Sequence, residues 1–209
     1  MDILLATTNA GKIRDFEILL SGFSINWLSL KDFPEAEEVE EDGETFTENA
    51  KRKAIGYARQ TGILTLADDS GLEIDALGGA PGVSSARFSG AHKDHSSDAF
   101  RIDEENIKKV LRLMDGVPEE NRTARFVSSL CLADSEKPIL EAEGFLPGRI
   151  LNEKRGTGGF GYDPVFYLPE RGQSVAELAR EEKNRISHRA NAVKTLRPML
   201  EEFLKRCRQ

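Results

Sequence analysis

The chain has 209 residues, 39% of them apolar, and its 29 Lys and Arg stand against 36 Asp and Glu for a formal charge of −7. That length supports one sizeable core, so a single domain over 1–209 is expected. The acidic balance excludes a general nucleic-acid binder, whose affinity comes from clustered Lys and Arg, but leaves room for a small anionic ligand in a local basic pocket. The two cysteines, Cys131 and Cys207, are too few and too far apart for a disulfide framework or a zinc site, and Cys131 in FVSSLCLAD reads as a buried apolar residue. MDILLATTN has no basic start and only a short apolar run. Neither a signal peptide nor a membrane span is expected, and the expected compartment is the cytoplasm.

From the N-terminus, the apolar run ILLATT (3–8) reads as a strand, followed by a tight loop and a helix with Ile13, Phe16, Leu19 and Leu20 at helical spacing. The loop TTNAGK (Thr7, Thr8, Asn9, Ala10, Gly11, Lys12) combines helix-start amides, a glycine and a cation, which together favour an anion. It lacks the first glycine and the Ser or Thr of a Walker loop, and an ordinary turn is the alternative. A second strand is expected at 24–30, and the acidic stretch 35–44 reads as an exposed loop. Thr45 and Glu48 form a capping box for the next helix, on which Phe46, Ala50 and Tyr57 share a face and Asn49 and Lys53 emerge together.

Strands are then expected at 63–67 and 72–76, with Asp68 and Asp69 at the end of the first, where a flexible loop begins. Two readings of that acidic pair are open. One acid can cap local N–H groups while the other is solvated, or a divalent cation can offset their repulsion, with Glu40 and Glu41 as further oxygen donors. A helix is expected near 97–114, and strands at 124–133, 138–143 and 163–168. GTGGFGYDPVF (156–166) is either a turn into a strand or, through Phe160 and Tyr162, an aromatic platform for a base. Asp163 can accept from a base or ribose, or cap the turn. The last helix, near 188–206, begins after Ser187 as N-cap and carries Pro198, which is expected to kink or split it. His188 and Arg189 in its first turn oppose the helix dipole, and with Lys183 they suggest a site for an anionic or carbonyl-bearing ligand. The mixture of elements makes this an α/β protein.

Taken together, ATTNAGK, TFTENAKRKA, ADDSGLEIDALGGAPGVSSARFSG, GTGGFGYDPVF and KNRISHRANAV resemble the inosine/xanthosine triphosphate pyrophosphatase family, in family order from residue 6 to 193. Segments 91–106 and 143–151 match it more weakly. The resemblance implies an elongated two-lobed α/β fold with a long curved mixed sheet flanked by helices, a homodimer and a Mg²⁺ requirement. It implies that Thr7 to Lys12 hold the triphosphate with help from Lys53, and that Asp69 is the catalytic acid-base and metal-linked carboxylate. Asp68 and Glu40 or Glu41 would support Asp69, and Ser70 would touch the substrate. Phe160, Gly161, Tyr162, Asp163, Lys183, His188 and Arg189 would form the nucleobase pocket.

The reaction so implied is hydrolysis of ITP, dITP or XTP to the monophosphate and pyrophosphate. Maf-like nucleotide pyrophosphatases would differ in base choice, and SHRA and FGYD favour the purine family. A non-catalytic nucleotide sensor would have no use for an intact acidic pair. A phosphotransferase would need a Walker-type Ser or Thr and an acceptor site, and neither is found.

Overall fold

The computed structural model of the protein describes residues 1–90 and 99–207. Among the described residues the seven strands are β1 (Asp2–Leu5), β2 (Asn26–Ser29), β3 (Thr65–Ile74), β4 (Thr123–Ala133), β5 (Pro138–Ile150), β6 (Phe166–Leu168) and β7 (Gln173–Ser174). They form one sheet in the order β2-β1-β3-β4-β5-β6-β7. β1 pairs in parallel with β2 and β3, whereas β5–β6 and β6–β7 are antiparallel, so the sheet is mixed. The helices are α1 (Ala10–Leu19), α2 (Phe46–Thr61), α3 (Ala99–Leu113), α4 (Arg180–Ile186) and α5 (His188–Arg206). The two parallel pairings place α1 and α2 in crossover connections, as parallel strands require.

The chain divides into two compact units, each described by itself. Unit 1 comprises Met1–Asp69, Ser128–Phe145 and Ser187–Gln209; unit 2 comprises Ser70–Val127 and Leu146–Ile186. Three of the four boundaries therefore fall within β3, β4 and β5, and the fourth lies between α4 and α5. In unit 1 the strand residues alternate between two apolar clusters. Ile3, Leu5, Leu66, Leu130 and Leu132 pack with Phe16 of α1 and with Val193, Leu196 and Leu200 of α5. Leu4, Ala6, Ala67, Cys131 and Ala133 pack with Ala50, Ala54 and Tyr57 of α2. Both faces are covered, which is why these strands read as apolar runs rather than as alternating ones. Unit 2 has its own core, in which Leu72, Ile74, Phe126 and Phe166 meet Ile107, Val110 and Met114 of α3 and its C-terminal turn.

Several expectations are corrected. The strands expected at 63–67 and 72–76 are one continuous strand, β3, so Asp68 and Asp69 lie inside a strand and not at its end. Gly71 keeps β3 unbroken where segment 82–85 approaches it, since a Cβ there would lie 2.3 Å from Ser85 Oγ. β5 runs on to Ile150, well past the expected end at 143, and Asp163–Val165 form a 3-10 turn ahead of the short β6. α5 is not split: it runs without interruption through Pro198. The acidic stretch 35–44 is a largely exposed loop, as expected, but it is tied down along its length. Glu37 exchanges two hydrogen bonds with Gln60, Glu41 pairs with Lys53, Asp42 pairs with Arg52 and the Gly43 N–H donates to Asn49, so the stretch is strapped along α2. Of the expected helix 97–114, positions 97 and 98 lie outside the described residues.

Candidate active site

Unit 1 gathers most of the expected residues around the β3 acids. Asn9 caps α1, its Oδ1 accepting from the N–H groups of Gly11 (2.8 Å) and Lys12 (3.1 Å). Those two amides are therefore already engaged by the protein, and Thr8, Asn9 and Ala10 form the exposed rim of the turn while Thr7 and Gly11 are buried. Capping fixes the start of α1 and with it the root of Lys12. The Lys12 ammonium lies 2.8 Å from Asp68 Oδ2 and also donates to the Asp68 carbonyl at 3.2 Å.

Asp68 is 1% exposed and is the hub of a buried charge cluster. Ser128 Oγ donates to its Oδ1 at 2.6 Å, and Arg189 Nε lies 3.4 Å from its Oδ2. The Arg189 guanidinium also reaches Asp15 of α1 at 3.4 Å. Ser187 caps α5 by accepting from the Ala190 N–H, which sets Arg189 in the first turn. The unfavourable position of this cation against the helix dipole is offset by the two carboxylates. His188 beside it is buried, and β5 approaches this turn backbone to backbone. A Cβ at Gly144 would lie 2.0 Å from Ala192 N and 2.3 Å from His188 O.

The two adjacent acids are held in opposite states. Burial works against ionisation of Asp68, but the charges of Lys12 and Arg189 and the hydrogen bonds from Lys12 and Ser128 outweigh it, and its carboxyl stays well below the usual carboxylate range. Asp69 is raised to about 6: burial is the largest cause, Glu41 and Asp68 add to it, and Lys12 and Lys53 oppose it. Burial also lowers the Lys12 ammonium, despite the stabilising charge of Asp68. Glu41 enters through the strap, paired with Lys53 at 2.7 Å, whereas Glu40 is exposed. Asn49 is 1% exposed and its Oδ1 accepts the Gly43 N–H at 2.8 Å, so the two side chains expected to emerge together from α2 both hold the strap. Ser70 follows Asp69 in β3 as the first residue of unit 2 and is half-buried.

Unit 2 brings together Phe160, Gly161, Tyr162, Asp163 and Lys183. Asp163, 3% exposed, accepts the Phe160 N–H at 2.9 Å and pairs with the Lys183 ammonium. That ammonium lies 4.5 Å from the centre of the Phe160 ring. Tyr162 is 5% exposed, its hydroxyl donates to the Ser85 carbonyl at 2.8 Å, and its ring belongs to the unit 2 core. The ring available as a platform is therefore that of Phe160. Asp15, Ser128 and Asp103 were not picked out from the sequence. Asp15 stands three residues after Lys12, a spacing that places the two on one side of α1 and was a usable signal. Ser128 in an apolar strand and Asp103 in a polar helix carry none.

These features define an α/β protein in which lysines, an arginine and a poised carboxylate suit chemistry on an anionic ligand. The model of the Ham1 family matches residues 3–199. The chain is 50% identical over 203 residues to the dITP/XTP pyrophosphatase of Geobacillus kaustophilus, covering 97% of this chain and 96% of that one. It is also 50% identical over 194 residues to the dITP/XTP pyrophosphatase of Desulforamulus reducens, covering 93% and 92%. Among solved structures it is similar to a HAM1 protein from Coxiella burnetii, with a TM-score of 0.84 at 39% identity over 97% of this chain and 99% of that one. The Staphylococcus aureus Ham1 protein gives a TM-score of 0.83 at 36% identity, with the same coverage. The chain belongs to the Ham1 family.

Proposed function

We propose that this protein hydrolyses non-standard purine nucleoside triphosphates (ITP, dITP and XTP) to the monophosphate and pyrophosphate, removing deaminated purines from the nucleotide pool. The observation that carries the reading is the pair in β3: Asp68 fixed as a charged hub for Lys12 and Arg189, and Asp69 beside it with its carboxyl raised to about 6. A carboxylate with that affinity for a proton is ionised at neutral pH yet basic enough to take a proton from an attacking water.

In this mechanism Asp69 orients and deprotonates water for in-line attack on the α-phosphorus. Lys12 and Lys53 stabilise the charge that develops on the phosphoryl oxygens as pyrophosphate leaves. Lys12 is partly buried, and its incompletely hydrated ammonium interacts strongly with a phosphate placed against it. Lys183 is the donor that reads the carbonyl oxygen at position 6 of the base, and Phe160 is the stacking platform. Adenine presents a donor at that position, so Lys183 would face a donor and the mismatch can favour ITP over ATP by roughly 10⁴-fold.

Asp69 and Glu41 fit a magnesium ion. They are hard oxygen donors, and Glu41 adds to the pressure against ionisation of Asp69, a repulsion that a cation relieves. Among the described residues no group of three or more His, Cys, Asp and Glu is placed to hold a metal ion by itself, and a pair of carboxylates suits an ion shared with substrate phosphates. When bound, Mg²⁺ neutralises charge on the phosphoryl oxygens. The same reading carries a homodimer that works in the cytoplasm; among the described residues no helix is long and apolar enough to cross a membrane.

The test is Asp69→Asn. Binding of ITP within about threefold of wild type with turnover reduced by roughly 10²-fold or more is expected for a lost general base. A near-normal rate would remove Asp69 from the mechanism.

A further inference from the structure

The two amides that flank the Cα of Phe160 are each held by a carboxylate, and the carboxylates come from different elements of unit 2. The Phe160 N–H donates to Asp163 Oδ2 at 2.9 Å, and the Gly161 N–H donates to Asp103 Oδ2, on α3, at 2.7 Å. Together they restrain φ and ψ of Phe160 from both sides. The glycines make this clamp possible. Gly161 sits at φ +60°, where side chains are rarely accommodated, and at Gly159 a Cβ would lie 2.0 Å from Asp163 Oδ2.

The rest of α3 grips the same region. Glu104 pairs with Lys154 at the start of the loop. Asn106, 2% exposed, accepts the Ser89 N–H at 2.7 Å and donates to the carbonyls of Ser85 and Ala86. Ser85 is in turn the residue whose carbonyl receives the Tyr162 hydroxyl. One face of α3 thus fixes the segment 85–89 and, through Asp103 and Tyr162, the loop 156–163.

We propose that Asp103 is a positioning residue for base selection, holding the Gly161 amide so that Phe160, and the Lys183 ammonium over its ring, keep the geometry in which a purine is read. This rests on the function proposed above. Asp103 acts through the Gly161 amide and not on the reacting atoms, so its loss should alter binding of the base rather than the chemical step.

The test compares wild type, Asp103→Ala and Asp103→Asn in steady-state kinetics on ITP, XTP and ATP, with hydrogen exchange measured over 156–163. For Asp103→Ala we expect KM for ITP to rise about tenfold, the scale of one lost charge-assisted hydrogen bond, with kcat within about twofold. The preference for ITP over ATP should shrink by a similar factor, because ATP makes no use of the donor at position 6, and exchange at Gly161 should quicken. Asp103→Asn keeps an acceptor oxygen and should recover most of the KM. If Asp103→Ala does not fold, Asp103→Asn against wild type decides the matter: a KM rise of about two- to threefold supports the clamp and an unchanged KM contradicts it. An Asp103→Ala enzyme with unchanged KM, selectivity and exchange overturns the inference while leaving the function standing. A wild type without turnover on any of the three instead removes the function, and unchanged exchange in Asp103→Ala would then overturn the clamp as well.

Discussion

Asp68 and Asp69 are neighbours of identical chemistry, and their partners drive them apart. For Asp69 the folded value, about 6, lies above the ordinary 3.8. Its ionised form is disfavoured by folding, so the penalty is absent below pH 3.8 and complete above pH 6. In the absence of metal, Asp69→Asn should therefore stabilise the protein at pH 8, by up to about 3 kcal/mol, and leave it unchanged at pH 3.5. For Asp68 the folded value is depressed, so its contribution is present above 3.8 and fades as the pH falls below it. Asp68→Asn leaves Lys12 and Arg189 without their shared carboxylate and should cost about 3 to 5 kcal/mol at pH 8. Urea unfolding of both variants at the two pH values checks this; equal shifts in the same direction would contradict the division of roles. The adjacency of the acids was legible in the sequence, but that division was not. It depends on Lys12, Ser128 and Arg189, which stand 56, 60 and 121 positions from Asp68 and reach it only through the fold.

Among the elements, helices with side-chain caps were legible. Thr45 accepts the Glu48 N–H at 3.1 Å and Ser187 accepts that of Ala190, so α2 and α5 begin where their caps predict. The Glu48 carboxylate reaches back to the N–H of Glu44 rather than to that of Thr45, one residue from the expected box. β3 was not legible, because Asp-Asp-Ser-Gly reads locally as a turn and only burial against distant cations makes it a strand. The strap 35–44 was not legible either, since an acidic run carries no sign of what it lies on. Val39 sits directly over Gly56 of α2, where a Cβ would fall 2.7 and 2.8 Å from the two Val39 methyls. Gly56→Ala should destabilise by about 1 to 3 kcal/mol through overpacking. It should also quicken hydrogen exchange across 35–44; unchanged protection there would contradict the strap. Gly144→Ala meets backbone on α5 rather than a side chain, so a loss of about 3 kcal/mol or more is expected. A denaturant midpoint near that of wild type would refute the close β5–α5 approach.

At the scale of the whole molecule, the α/β class followed from the alternation of apolar runs and helical spacings, whereas the strand order did not, because β3, β4 and β5 each carry the chain from one compact unit to the other. The five motifs that carried the family resemblance are short, but the Ham1 match over residues 3–199 shows that they belong to one continuous likeness. A protein built to bind such nucleotides should gain about 2.7 kcal/mol of stability at a ligand concentration 100 times Kd. The central claim is the bond cleaved and the base preferred. Purified protein with Mg²⁺ should be given ITP, XTP, dITP, GTP, ATP and a pyrimidine triphosphate, and the products identified. Monophosphate and pyrophosphate, formed preferentially from ITP, dITP and XTP, are predicted. Diphosphate with orthophosphate would move the attack to the γ-phosphorus and contradict the mechanism, and binding without turnover would make the protein a nucleotide sensor.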